Sequence, residues 1–238
     1  MKKLGIIGAM DVEVATLKEK LQNPVCKTIA GSEFCEGLLH DLPVVVVQCG
    51  VGKVNAALCV QILCDCYEVT HIVNTGVAGS LNAALDIGDF VISKDAIYHD
   101  FDCHVINPNY SVGQVPGMAV CAFPADETLA RYAYFAAESQ NPGHCKIGTV
   151  ASGDQFVCAA EQKQNIVFRT GALCTEMEGA AIAHAAWRNG IPFVVIRAIS
   201  DKADDSAQME YPVFEEMAAK ACAQVIITLS QFLKESEG

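Results

Sequence analysis

Basic residues are scarce in this chain. It carries 16 Lys and Arg against 28 Asp and Glu over 238 residues, for a formal net charge of -12. With no Lys/Arg cluster anywhere, a nucleic-acid backbone finds no counter-surface. The acidity also disfavours a polyanionic substrate or an anionic membrane. Long apolar runs are missing as well. Apolar residues make up 52% of the chain and charged residues 18%. Yet the strongest runs, Val44 to Val47 and Phe193 to Ile196, fall far short of the ~20 residues that span a bilayer, and they read as buried strands. These absences leave a neutral or zwitterionic small molecule as the easier partner.

Metal and dinucleotide signatures are absent too. The six histidines form no HExxH and no close cluster. Among the twelve cysteines, Cys64-Asp65-Cys66 and the His144-Cys145 pair lack zinc-site spacing. Gly5 to Met10 does not carry GxGxxG, and Gly50-Val51-Gly52-Lys53 does not carry GxxxxGK[ST]. The expectation is no metal and no organic cofactor. Met1-Lys2-Lys3 leads directly into an apolar strand, with no leader-like segment. A cytoplasmic chain is therefore expected, with its cysteines reduced and mostly buried as small hydrophobes.

What is present is an alternation of short β-branched runs with amphipathic stretches. Strands are predicted at 4–8, 42–48, 70–74, 87–93, 146–151, 172–175 and 192–198, and a hairpin at 26–29 and 33–38. Helices are predicted from Asp11, from Gly50 to about Cys66, and at 125–138, 158–168, 177–188 and 211–232. On the second of these, Val54, Ala57, Leu58, Ile62 and Leu63 are expected to face inward. The stretch 98–124 reads as a long loop, which in a compact fold is often functional. No linker or repeat divides the chain, so one α/β domain over residues 1–238 is expected, with a mixed, mainly parallel central sheet flanked by helices. Glycines or small polar residues close nearly every strand, where α/β sheets build their sites.

Three acids stand out. Glu13 lies in the first helical turn after Gly8-Ala9-Met10, where an acid is also an ordinary partner of the helix dipole. Glu176 and Glu178 flank Met177 at the end of a strand. Asp201 follows Ser200 beyond the apolar strand that contains Arg197. An arginine inside a buried strand needs an anion, water or a ligand oxygen.

The stretches GIIGAMDVE (5–13), GVGKVNAA (50–57), VNTGVAG (73–79), ASGDQF (151–156), TEMEGAAIAH (175–184) and VVIRAISDKAD (194–204) resemble the methylthioadenosine/S-adenosylhomocysteine nucleosidases, within the purine nucleoside phosphorylase superfamily. The resemblance runs from residue 3 to about residue 233. It implies an enzyme that cleaves an adenine nucleoside at its N-glycosidic bond. Asp201 would protonate adenine, Glu178 would grip the ribose hydroxyls, Glu13 would activate water, and Arg197 would lie near that water. Met10 and Met177 would pack on the ribose, Phe156 and Val157 on the base, and Tyr211 beside both. Val51, Val77, Glu176, Ser200, Met209 and Phe214 complete the implied substrate-binding set, with the segment 209–214 on the 5' side. The resemblance also implies a homodimer in which residues 102–117 complete the partner's pocket. In one departure, Val77 stands where such enzymes commonly have a serine.

The chemistry fits these residue types on its own terms. Adenine leaves poorly as an anion, so a carboxylic acid at N7 can neutralise it as the bond breaks. A second carboxylate can orient water toward the oxocarbenium-like sugar. A phosphorolytic enzyme is the main alternative, but Glu13 would repel phosphate and Val77 offers it no donor.

Overall fold

The computed structural model describes residues 2–236. Its elements in chain order are β1 (Leu4–Gly8), α1 (Asp11–Lys20), β2 (Gln22–Ile29), β3 (Ser32–Leu39), β4 (Leu42–Gln48), α2 (Lys53–Tyr67), β5 (His71–Ser80), β6 (Phe90–Tyr98), β7 (Phe123–Pro124), α3 (Glu127–Gln140), β8 (Cys145–Ser152), α4 (Ala160–Thr170), β9 (Cys174–Glu176), α5 (Gly179–Asn189), β10 (Phe193–Asp201) and α6 (Ala207–Glu235).

The sheet is mixed around a parallel centre, β4-β1-β5-β10. β10 then pairs antiparallel with β6, β6 runs parallel to β8, β8 parallel to β9, and β9 pairs antiparallel with the end of β5. Strands β5, β10, β6, β8 and β9 thus close into a ring, and β1, β4, β3 and β2 continue from it as an open wing. Closure leaves the ring strands without a free edge. It also gathers the C-terminal ends of β5, β8, β9 and β10 beside that of β1 on one rim.

Both faces of the sheet are covered, and the period-2 alternation of a strand decides which side chain goes where. Along β1, Ile6 joins a core built with α1, α3 and α6, while Ile7 joins a second core built with α2 and α5. Coverage on both sides explains why β1, β5 and β10 read as mostly apolar runs, interrupted only at Asn74, Thr75 and Arg197 before their polar ends, rather than as alternating ones.

Long-range pairing moves several predicted boundaries. β5 runs to Ser80 and not only to Asn74, because Thr75 to Gly79 pair with β10 and Gly79 and Ser80 with β9. β10 extends to Asp201 by the same pairing. β6 occupies Phe90–Tyr98 rather than 87–93, held by β8 on one side and by β10 and β7 on the other. β2 begins directly after α1, and α6 begins at Ala207, ahead of the expected Tyr211, with Pro212 inside it. On α2 the buried face is Ala56, Cys59, Val60 and Leu63, whereas Val54 and Leu58 point outward. α1 begins at Asp11 as expected, with Met10 as its N-cap. The expectation of reduced thiols fails at one pair: Cys26 and Cys35 face each other across β2 and β3 and are joined in a disulfide. The other ten cysteines are free.

Leu63 shows how tightly this frame is packed. It is fully buried, and a methyl on Gly5 of β1 would come within 2.9 Å of it. Close-packed interiors collapse only partly around a deletion. Leu63→Ala is therefore expected to lower unfolding free energy by about 2–5 kcal/mol in urea titration, while the activity of the folded fraction stays near that of the parent.

Candidate active site

The rim where the strand ends meet contains a pocket of about 550 Å³, its open mouth included. Its floor and walls come from β1 and the turn after it, from β5, from the Gln155 to Val157 segment, from the Thr175 to Glu178 segment, and from β10, with Tyr211 of α6 at the side.

Arg197 of β10 is the deepest charge beneath this pocket. Its side chain is fully buried and donates to Asn74 Oδ1 at 2.6 Å, to the Val77 carbonyl at 3.3 Å, and to Glu176 Oε2. Glu178 Oε2 lies 3.7 Å away. Burial works against the guanidinium charge, but Glu176, Glu178 and Glu13 together raise its pKa, so it stays ionised. Glu176 is spent on structure. Besides Arg197, it accepts the Ser152 hydroxyl and the backbone N–H groups of Glu178 and Gly179. That bonding holds residues 176–178 outside the helix, so α5 starts at Gly179 rather than Met177.

Glu13 caps its own helix and does more. Its Oε2 accepts from the N–H groups of Ala9 at 2.6 Å and Met10 at 3.0 Å. Its Oε1 accepts from the Val77 N–H at 3.1 Å, a residue 64 positions away. Burial nevertheless raises its pKa, against the opposing pull of Arg197 and those three amides. Gly76 is required here. A Cβ on it would collide with both the Arg197 guanidinium and the Glu13 carboxylate.

Glu178 is buried in the pocket wall. Its Oε1 accepts from the Gly52 N–H at 2.8 Å. Burial and the nearby Glu176 push its pKa up to about 7, with Arg197 and the Gly52 amide pulling the other way. Asp201, at the end of β10, accepts from Ser200 Oγ at 2.9 Å and from the Ala203 N–H at 2.8 Å. Burial raises its pKa despite those two bonds, and Glu210 and Asp204 add to the rise. A carboxyl group held in this way keeps its proton more readily than one in water.

Apolar side chains complete the enclosure. Phe156 and Tyr211 meet edge to face with centroids 5.4 Å apart, and Tyr211 Oη donates to Met10 Sδ at 3.2 Å. Of the residues expected from the sequence, Met10, Glu13, Val51, Val77, Phe156, Val157, Glu176, Met177, Glu178, Arg197, Ser200, Asp201 and Tyr211 line the pocket. Met209 and Phe214 do not. Both sit on α6, where the two-residue step from Met209 to Tyr211 crosses to the opposite face, carrying Tyr211 inward and leaving Met209 facing solvent. Sequence reasoning missed Ala9, Ala78, Gly79, Gln155 and Thr175 in the lining. It also missed Asn74 and Ser152, which hold Arg197 and Glu176. Asn74 carried the same signal as Arg197, a polar side chain inside an apolar strand.

The phosphorylase superfamily model matches residues 3–234. The 5'-methylthioadenosine/S-adenosylhomocysteine nucleosidase of Staphylococcus aureus (strain MRSA252) is 40% identical over 227 residues, which is 95% of this chain and 98% of the relative. This chain is a member of that nucleosidase family. Solved structures agree. The nucleosidase of Neisseria meningitidis in complex with methylthio-immucillin-A superposes with a TM-score of 0.93 at 32% identity, covering 98% of this chain and 100% of the other. That of Colwellia psychrerythraea 34H in complex with adenine gives 0.90 at 38%, covering 96% and 94%.

A nucleosidase site with buried carboxylates costs folding stability. Glu178 titrates at about 7 in the folded chain against an ordinary 4.5, so the folded state binds more protons than the unfolded one across that window. Stability from this group is present at low pH and is lost as pH rises through 7. Glu178→Gln should flatten the Tm–pH curve between about pH 4.5 and 7, and should leave Tm at pH 8 above the parent's. A steeper curve in the variant would contradict the assignment.

Proposed function

We propose that this enzyme hydrolyses the N-glycosidic bond of 5'-methylthioadenosine and S-adenosylhomocysteine, releasing adenine and the 5-thio-substituted ribose. The observation that carries this reading is the pair of buried carboxyl groups on one pocket. Glu13 is fixed by three backbone amides, and Asp201 sits at a strand end where burial favours its protonated form. Asp201 gives its proton to adenine N7 as the C1'–N9 electrons pass into the base. The sugar develops positive charge, and Glu178 holds its hydroxyls. Water attacks C1' and passes a proton to Glu13. Arg197 keeps Glu13 and Glu178 from repelling one another in a space that excludes bulk solvent.

Phosphate is a poor alternative nucleophile here. Glu13 opposes a dianion, Val77 presents only methyl groups where a donor would be needed, and Arg197 is already engaged by Glu176. The whole chain acting as one catalytic unit fits this reading, because residues from 9 to 211 contribute to a single pocket.

A homodimer is part of the proposal. Val105 and Ile106 in the segment between β6 and β7 are 97% and 82% exposed. Val54 and Leu58 on α2 and Val51 at the pocket mouth are exposed as well. Burying such groups against a second copy removes apolar surface from water. Sedimentation equilibrium should give the mass of two chains, and Val105→Asp with Ile106→Asp should shift it toward one chain and raise KM. A monomeric parent with full activity would remove this part.

The deciding measurement is product analysis with and without phosphate, in parent, Asp201→Asn and Glu13→Gln. The parent should yield free pentose in both conditions. Each variant should fold, bind adenine nucleosides and turn over at least about 10²-fold more slowly, the low end for a positioned acid or base. Phosphate-dependent pentose 1-phosphate from the parent would overturn hydrolysis. Rates in either variant within threefold of the parent would overturn that residue's role. A panel of 5' substituents, including futalosine, would then rank substrates.

A further inference from the structure

One charged cluster outside the pocket lining ties three strand-end turns together. Lys53 opens α2, and its side chain passes over the Tyr98 ring, 5.4 Å from the centroid, to reach both oxygens of Asp100 at 2.8 and 2.7 Å. The Lys53 backbone N–H donates to Asp154 Oδ1 at 2.9 Å, and the Asp154 N–H donates to Asp100 Oδ2 at 2.9 Å. The pair is largely withdrawn from solvent, with side-chain exposures of 22% for Lys53 and 16% for Asp100. Burial opposes the Asp100 charge, but Lys53 and the Asp154 amide more than offset it and hold the carboxylate below its ordinary pKa.

Lys53 does not itself line the pocket, but the residue before it reaches the site. Gly52 donates its N–H to Glu178 Oε1 at 2.8 Å. Gly52 has φ +98°, in the region that favours glycine, and a Cβ on it would come within 3.2 Å of Asp154 Oδ1. This turn has no side chain of its own at the point where it meets Glu178. Its place is set from its flanks, by the Asn55 side chain donating to the Val51 carbonyl at 2.8 Å on one side and by Lys53 on the other. A carboxylate turns easily about its last torsion. The Gly52 amide on Oε1, with Arg197 3.7 Å from Oε2, gives Glu178 one defined orientation.

We propose that Lys53 is a positioning residue for the ribose grip: with Asp100 and Asp154 it locks the Gly52 amide onto Glu178, so that this carboxylate meets the sugar hydroxyls in one geometry. The proposal rests on the assignment of Glu178 to the ribose hydroxyls. An ion pair that merely stabilises the fold would slow every substrate equally. A positioning role acts only on substrates that carry the hydroxyls Glu178 holds.

The test compares 5'-methylthioadenosine with its 2'-deoxy analogue in the parent, Lys53→Met, Lys53→Arg and Asp100→Asn. The readout is kcat/KM, or Ki for the analogue where it is not cleaved. Lys53→Met should lose about tenfold or more on the ribonucleoside and no more than about twofold on the 2'-deoxy analogue, as expected when one oriented contact is lost. Lys53→Arg, which keeps a cation for Asp100, should recover most of the difference. Asp100→Asn removes the same ion pair from the other end. It should reproduce the selective loss, and it serves as the test if Lys53→Met does not fold. Equal losses on both nucleosides, or no loss on either, would overturn the proposal while leaving hydrolysis by the parent intact. A parent inactive on both nucleosides is a separate result, which removes the nucleosidase reading and the proposal with it.

Discussion

Arg197 is a full positive charge with almost no exposed surface, placed in the middle of a strand. A guanidinium in that position is tolerable only if anions and hydrogen-bond acceptors surround it. The chain supplies such groups from four directions, with Nε alone left without a hydrogen-bond partner among the described residues. Glu176 comes from β9, Asn74 and the Val77 carbonyl from β5, Glu178 from the entry to α5, and Glu13 from α1. The same arrangement is what allows three carboxylates to approach one pocket without expelling each other. Removing Glu176, the carboxylate bonded directly to Arg197, is expected to cost about 3–5 kcal/mol, because the guanidinium is left uncompensated. Fold and site are therefore not separable at this point. The pairing that neutralises Arg197 also aims Glu13 and Glu178.

The closed ring of strands makes that convergence possible. β5 borders β1, β10 and β9, so three different chain segments end within reach of its Gly76-Val77-Ala78-Gly79 stretch. The small residues there are a steric requirement, since Glu13, Arg197 and Asp201 all crowd the backbone at Gly76 and Gly79. The buried acids work against folding. Burial raises the pKa of Glu13, Glu178 and Asp201, which destabilises their charged forms, and the two well-packed cores on either side of the sheet offset that cost.

Much of this was legible in the sequence, for definite reasons. Binary patterning and turn residues located nearly every element, because strands and helices differ in period and because glycines close the strands. Glu176, Glu178, Asp201 and Arg197 could be singled out because a charge at the end of an apolar strand, or inside one, requires an explanation, whereas Glu13 in a first helical turn stood out only through the resemblance. Asn74 met the same criterion and was passed over. The resemblance carried the roles that spacing alone left open. Val77, which replaces a hydroxyl, still serves Glu13 through its backbone N–H, a contact that no side-chain reading could supply.

What the sequence by itself determined was most of the elements, β7 excepted, the candidate charged groups and the class of chemistry they suit, because these follow from local period and from side-chain type. Tertiary structure alone decided where β5 and β10 end, which face of α2 is buried, and that Met209 and Phe214 stay out of the pocket while Tyr211 enters it. It also decided that Cys26 and Cys35 meet across a hairpin, and that Glu176 is consumed by Arg197 while Glu178 remains turned toward the pocket. The physical reason is common to all of these. Each depends on a partner tens of residues away, and hydrogen-bond pairing, register and desolvation act only once those distant segments are in contact.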